Sequence, residues 1–121
     1  MSLTPADYGA LTSCIAGMES AVREMDAAKD SYGHARAVVE LSSDTRKTIL
    51  AICAAKELGE GTAANAAEIK ARASHQYQQM MKSHKAELAK AESVIAAYYT
   101  TKARWETERS KASAEKAMVQ L

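Results

Sequence analysis

The sequence has no Phe, one Pro, five Gly and two Cys in 121 residues. Gly and Pro interrupt helices more strongly than any other residues, so their scarcity leaves few places where a helix must end. Ala supplies about a fifth of the chain, and charged residues supply 26%. This composition is typical of long helices, and the length suits a single domain.

Membrane and secreted proteins are not favoured. The longest uncharged, largely apolar run, Thr48–Ala55, is far shorter than the roughly 20 residues of a membrane-spanning helix. The first seven residues contain no basic stretch followed by an apolar core, so no secretory signal is expected. Cys14 and Cys53 form neither a CxxC motif nor a Cys/His cluster, which favours free thiols in a reducing compartment. We expect a cytoplasmic protein without membrane contact.

One turn is indicated by the only closely spaced glycines, Gly59 and Gly61. Gly59 can adopt the left-handed conformation that closes a helix, and the Thr62 hydroxyl can cap the next one. These signals predict one domain over 1–121, with helix one at about 5–58, a turn at 59–61 and helix two at about 62–119.

The beginning of helix one has its own signals. Thr4 is a suitable N-cap, Pro5 follows at the first helical position, and Asp7 places a negative charge where the helix dipole favours it. We therefore expect helix one to begin at Pro5.

Helix one carries a periodic apolar stripe with steps of three and four residues. Its members are Tyr8, Leu11, Ile15, Met18, Val22, Met25, Lys29 and Tyr32, of which only Lys29 is polar. This spacing predicts one buried helix face. The phase then slips around Gly33 and Ser42-Ser43-Asp44, which predicts a kink or short break near 33 or 42–44.

Helix two carries a sevenfold row. Its members are Tyr77, His84, Ala91, Tyr98, Trp105, Ala112 and Val119. Met81, Leu88 and Ile95 follow four residues after the early members and complete a heptad-type apolar seam. The equivalent later positions are the charged residues Lys102, Arg109 and Lys116, so the apolar seam thins toward the C-terminus.

The two halves are complementary when the chain is folded back near residue 60. Tyr32 then faces Leu88, Val22 faces Tyr98, and Glu19 lies near Lys102. Residues 1–68 have a net charge of −4, whereas residues 69–121 have +5. The sequence therefore predicts an all-α fold, an antiparallel helical hairpin of coiled-coil type.

A hairpin of this kind leaves apolar surface uncovered. Helix two would be about 85 to 90 Å long, and its apolar residues cannot all face one partner helix. We therefore expect a four-helix bundle-type oligomer, with a dimer favoured, or docking on another protein. A bent three- or four-helix monomer is the structural alternative. The interface residues predicted for a partner are Met81, Leu88, Ile95, Tyr99, Arg104, Trp105 and Met118.

The sequence offers little catalytic or cofactor chemistry. His84 and Glu87 lie one turn apart, but a lone pair of this kind is weak support for a metal, and we expect His84 in the helix seam, bonded across to helix one. No phosphate-loop motif is present. No metal, no cofactor and no enzymatic activity are predicted.

The expected function is a non-enzymatic assembly or adaptor module that acts through protein–protein contacts. The alternative is an accessory nucleic-acid-binding protein that uses the basic face of helix two, with Lys102, Arg109 and Lys116 as contacts. Acidic residues interleave with these cations and the whole chain is only +1, so this alternative is second.

Overall fold

A computed structural model describes residues 5–120 and the side chains of residues 8–118. Within these residues the regular secondary structure is all helical, which confirms the predicted all-α class. The helices are α1 (Pro5–Glu40), α2 (Ser42–Gly59), α3 (Ala64–Ala73) and α4 (His75–Gln120). No helix among them is long and apolar enough to cross a membrane. The Thr4 cap predicted for helix one and the side chains of Asp7 and Val119, the latter from the sevenfold row, lie outside the described part.

Predicted helix one consists of two helices that meet at Leu41. Leu41 has φ −93° and ψ 3°, a sparsely populated backbone conformation. The break is local, because the Leu41 N–H donates to Ala37 O and the Leu41 carbonyl accepts from Thr45 N, both at 2.9 Å. It lies directly before the predicted 42–44 segment, while α1 continues through Gly33.

The turn between α2 and α3 differs from the prediction in its glycine. Gly61, with φ +93°, is the left-handed residue, whereas Gly59 is still helical. The Thr62 N–H donates to Glu57 O at 3.0 Å, and the Gly61 N–H donates to Leu58 O at 3.1 Å. These two bonds form a Schellman motif with Gly61 at the position after the cap. The chain therefore reverses later than predicted, over residues 60–63.

Thr62 is not the N-cap of the following helix, contrary to the prediction. The residue before α3 is Ala63, which provides no side-chain cap. The Thr62 hydroxyl donates instead to Glu57 Oε2 at 3.3 Å, and Lys70 Nζ lies 3.8 Å from the same carboxylate oxygen. Thr62 and Lys70 thus provide partners for the buried Glu57.

Predicted helix two is also two helices, separated at Ser74. The Ser74 hydroxyl donates to Ala71 O at 2.6 Å and accepts from the Tyr77 N–H at 3.2 Å. Ser74 therefore provides a hydrogen-bond donor for a terminal carbonyl of α3 and caps the start of α4. The sequence does not indicate this break, because the segment has neither Gly nor Pro.

The chain divides into two compact units. Unit 1 combines the chain up to Tyr32 with the chain from Val94 onward, and unit 2 is Gly33–Ser93. Within unit 2, α2 packs against α3. Ser42 contacts His84, and the Cys53 thiol lies 4.0 Å from Met80 Sδ.

In unit 1 the inward face of α1 is rotated from the predicted stripe. Leu11, Met18, Met25 and Tyr32 are half-buried as predicted, but Tyr8, Ile15 and Val22 are exposed. The buried positions next to the first row are Cys14 and Ala21. Small inward side chains let two helices approach closely, since the distance between helix axes depends on the side chains at the contact.

The α4 part of unit 1 turns its predicted row inward. Tyr98, Trp105 and Ala112 are all half-buried. The second inward row lies three residues after them rather than four, at Thr101, Glu108 and Glu115. This shift leaves Lys102, Arg109 and Lys116 exposed.

The register predicted from folding at residue 60 is wrong. The Tyr32 ring stacks on Tyr98 with centroids 4.1 Å apart, whereas the prediction placed Leu88 opposite Tyr32 and Val22 opposite Tyr98. Glu24, rather than Glu19, forms an ion pair with α4. The pairing of α1 with α4 is shifted for two reasons. The chain reverses after residue 60, and no break lies as far before the turn as Ser74 lies after it.

Candidate assembly surface and polar sites

An apolar row remains exposed on the α1 part of unit 1. It consists of Tyr8, Ile15 and Val22, which are 51%, 43% and 40% exposed. Sevenfold spacing places them close to one line along the helix. The periodicity of the sequence predicts these residues in the core, because the competing row of small residues through Cys14 and Ala21 has no hydropathy signal of comparable strength.

The predicted interface residues of α4 occupy two kinds of position. Met81, Leu88, Ile95 and Trp105 are half-buried. Tyr99 and Met118 are exposed, Met118 at 62%. Because the first group already contributes to the packing of the units, Tyr99 and Met118 are the predicted residues with the most apolar surface left for a partner.

The cationic side chains of α4 in unit 1 differ in what they contact. Arg104 forms an ion pair with Glu24, with Nη2 2.8 Å from Oε2. The Arg109 guanidinium lies 5.4 Å from the centre of the Trp105 ring, in cation–π range. Lys102 and Lys116 are exposed. Arg104 thus joins the two helices of its unit.

Three tyrosines form a cluster at one end of unit 1. Tyr99 meets the rings of Tyr32 and Tyr98 edge-on, with centroids 6.1 and 6.0 Å apart. The Tyr32 and Tyr99 hydroxyls are 3.2 Å apart, within hydrogen-bond distance. Aromatic pairs in these geometries stabilise a contact beyond their area of burial. The cluster therefore fixes the pairing of α1 and α4 in this unit.

Cys14 lies in the same unit against the Glu108 side chain. Burial raises the pKa of the Cys14 thiol above its ordinary value, and the negative charges of Glu108 and Glu115 raise it further, while Lys111 opposes them. A hydrogen bond from the thiol to Glu108 favours the protonated form as well. Glu108 also lies close to Gly17, where an added Cβ would be 3.0 Å from its carboxyl carbon.

The most buried polar contact in unit 2 joins Ser42 and His84. Ser42 Oγ is 2.8 Å from His84 Nε2, and the two residues are only 8% and 5% exposed. His84 therefore lies in the interior and bonds across to the predicted helix one, as expected. The bond matters because a buried polar group without a partner is costly.

Two open cavities adjoin this pair. One has a volume of about 320 Å³ and includes Ile49 and Met80 in its lining; the other, of about 210 Å³, includes His34 and Val38. His84 and Glu87 line both. In the described part of the chain, no three His, Cys, Asp or Glu side chains converge as ligands of one metal ion.

Comparisons with known proteins assign the chain to no family. No protein-family model matches it, and no curated protein or solved structure is significantly similar to it.

Proposed function

We propose that the protein is a non-enzymatic helical module that assembles through protein–protein contacts. The main observation in support of this proposal is that the sevenfold row Tyr8, Ile15 and Val22 is exposed. Burial of one apolar side chain of this size contributes about 1.5–3 kcal/mol when complete. Because these side chains are 40% to 51% exposed, covering the row of three would contribute roughly half of that value per residue.

The favoured partner is a second copy of the chain, so that two antiparallel helix pairs form a four-helix bundle of coiled-coil type. Charge supports this choice. Residues 8–32 carry four carboxylates and two cations, whereas residues 94–118 carry five cations and three carboxylates. In a two-fold arrangement, α1 of each copy would lie against α4 of the other, and opposite charges would meet twice.

The test is the solution mass by light scattering at several protein concentrations. We expect the mass to rise from 13.0 kDa toward twice that value. The double variant Ile15→Glu/Val22→Glu should remain monomeric with its helical circular dichroism retained, because the changed side chains are exposed and are not part of the buried core.

A matched control is Ala16→Glu/Ala27→Glu. These residues are also exposed on α1, and they lie about 100° or more around the helix from the row. The control adds the same charge and should still associate. The proposal of self-assembly through this row is wrong if the wild type is monomeric at every concentration, or if both double variants lose association equally.

A second candidate function is nucleic-acid binding. The observation in its favour is the exposed sevenfold row of cations Lys102, Arg109 and Lys116. Changing all three to Glu should abolish a gel shift, and binding by the wild type should weaken as salt is raised. No shift at low salt would eliminate this function.

A further inference from the structure

Unit 2 has a cationic cavity that is separate from the surfaces described above. It is a depression open to solvent, with a volume of about 290 Å³. The lining consists of Ser43, Arg46, Lys47, Leu50, Arg72 and Tyr77. These residues come from α2, from the last turn of α3 and from the first turn of α4. We refer to it as the cationic cavity.

Helix spacing and the Ser74 break together build this cavity. On α2, steps of three and four residues from Ser43 through Lys47 to Leu50 place these side chains on one face. Arg72 and Tyr77, in contrast, would be about 140° apart on an uninterrupted helix. Ser74 ends α3 and restarts α4 between them, and both then line the same cavity.

The positive charge of the cationic cavity is unbalanced. Its lining holds three cations and no carboxylate. Among the described residues, Arg46, Lys47 and Arg72 form no ion pair. An anion in the cavity would balance this positive charge.

The donor set indicates the kind of anion. Two guanidinium groups can each present a fork of N–H donors, Lys47 adds a compact charge, and the Ser43 and Tyr77 hydroxyls are further donors. This set suits the several oxygens of a phosphate dianion. Leu50 and the Tyr77 ring supply apolar surface beside it, and the volume is at the small end of ligand sites.

We propose that the cationic cavity binds the phosphate monoester group of a small organic molecule. A nucleic-acid backbone fits less well, because it would require cations along an extended path, whereas these three surround one concavity.

The experiment uses the full chain and titrates it with phenyl phosphate at low ionic strength, followed by two-dimensional NMR. We expect saturable binding, with the largest shifts at the lining residues. Arg46→Gln and Arg72→Gln should each weaken binding about tenfold, since each removes a charge-assisted hydrogen bond. Both side chains are exposed, and circular dichroism checks that the variants remain folded.

The matched controls are Lys82→Gln and Lys85→Gln, which remove exposed cations of α4 in the same unit outside the cavity. They should leave the affinity unchanged. The proposal is overturned if phenyl phosphate does not saturate, or if the controls weaken binding as much as the cavity variants.

Two further titrations separate the sources of phosphate. Inorganic phosphate should bind more weakly than phenyl phosphate, and equal affinity would overturn the assignment to an ester. A single-stranded oligonucleotide should not compete. If the oligonucleotide binds through Arg46 and Arg72 while phenyl phosphate does not, the site is a nucleic-acid contact and the proposal is wrong.

Discussion

The buried Ser42–His84 bond shows how a single hydroxyl can determine the stability of a helical interior. Ser42→Ala leaves His84 Nε2 in the interior without the partner that it has at 2.8 Å. We expect the free energy of unfolding to fall by about 1–3 kcal/mol, the cost of an unsatisfied buried polar group. Urea denaturation measures the change.

The control for this prediction is the neighbouring serine. Ser43 is exposed, so Ser43→Ala should change the free energy of unfolding by less than about 0.5 kcal/mol. Equal losses in the two variants would mean that the bond between Ser42 and His84 does not contribute to stability.

The raised pKa of Cys14 predicts a pH dependence of folding. A thiol whose pKa is higher in the folded than in the unfolded chain stabilises the fold below its ordinary pKa of 9.0. This stabilisation is lost as the pH rises through the higher folded value. The stability of the wild type relative to Cys14→Ala should therefore begin to decrease as the pH approaches 9.0, and it should continue to decrease above that pH.

Denaturation of both proteins at each pH tests this expectation, since Cys53, the tyrosines and the lysines are common to both. A difference that stays constant or grows with pH contradicts it. At neutral pH, protonated Cys14 should also react slowly with thiol reagents, because the thiolate is the reactive species.

For individual residues, the sequence predicted the buried position of His84 but not the residue that it contacts. His84 was expected in the seam because it shares a sevenfold row with Tyr77 and Ala91. Its partner Ser42 was interpreted only as a helix breaker. Ser42 is not apolar, so hydropathy cannot identify it as a buried residue; the assignment requires the register, which the sequence placed wrongly.

At the scale of the helices, the glycines have opposite roles. Gly61 has φ +93° and closes α2, whereas Gly33 is inside α1 and an added Cβ would meet nothing within 4 Å. Gly33→Ala should therefore stabilise the protein by about 0.5–1 kcal/mol. Gly61→Ala should destabilise it by about 1–2 kcal/mol, the cost of a left-handed conformation for an L-residue.

Thermal unfolding of the two variants measures these effects side by side. Because the chemical change is identical, opposite signs report the backbone conformation alone. Shifts of the same sign would contradict the assignment of Gly61 as the turn residue or of Gly33 as an ordinary helical position.

Helix boundaries were predictable where a residue type dictates them. Closely spaced glycines located the turn to within a few residues, and Ser42-Ser43-Asp44 located the break beside Leu41. The break at Ser74 was missed, since a single Ser among strong helix formers such as Ala71 and Ala73 is tolerated inside a helix. In the fold its hydroxyl bonds to both Ala71 O and the Tyr77 N–H, and a residue type alone does not indicate such a pair of bonds. The cationic cavity depends on this break, so the sequence could not indicate it.

At the scale of the whole molecule, a helix with a periodic sequence has more than one face that could be buried, and composition alone does not determine which one is. In α1 the rows through Ile15 and through Cys14 both have sevenfold spacing. Of these two rows the structure buries Cys14 and Ala21 and exposes Ile15 and Val22, which is the reverse of the choice that hydrophobicity favours. This reversal leaves apolar surface that a second copy can cover, and it places the acidic residues of α1 beside that surface.

The proposed dimer therefore predicts a dependence on charge as well as on apolar contact. Opposite charges on residues 8–32 and 94–118 should strengthen association at low ionic strength, and added salt should weaken it by screening them. The triple variant Lys102→Glu/Arg109→Glu/Lys116→Glu should associate more weakly than the wild type, because it places negative charge opposite the acidic part of α1. The control Lys82→Glu/Lys85→Glu/Lys90→Glu makes the same change of net charge on exposed residues of α4 in unit 2. The association of both variants is measured by light scattering over a range of salt concentrations. Equal weakening of association in the two variants would show a general effect of net charge. Weakening in the first variant alone would support α4 of one copy as the surface that meets α1 of the other.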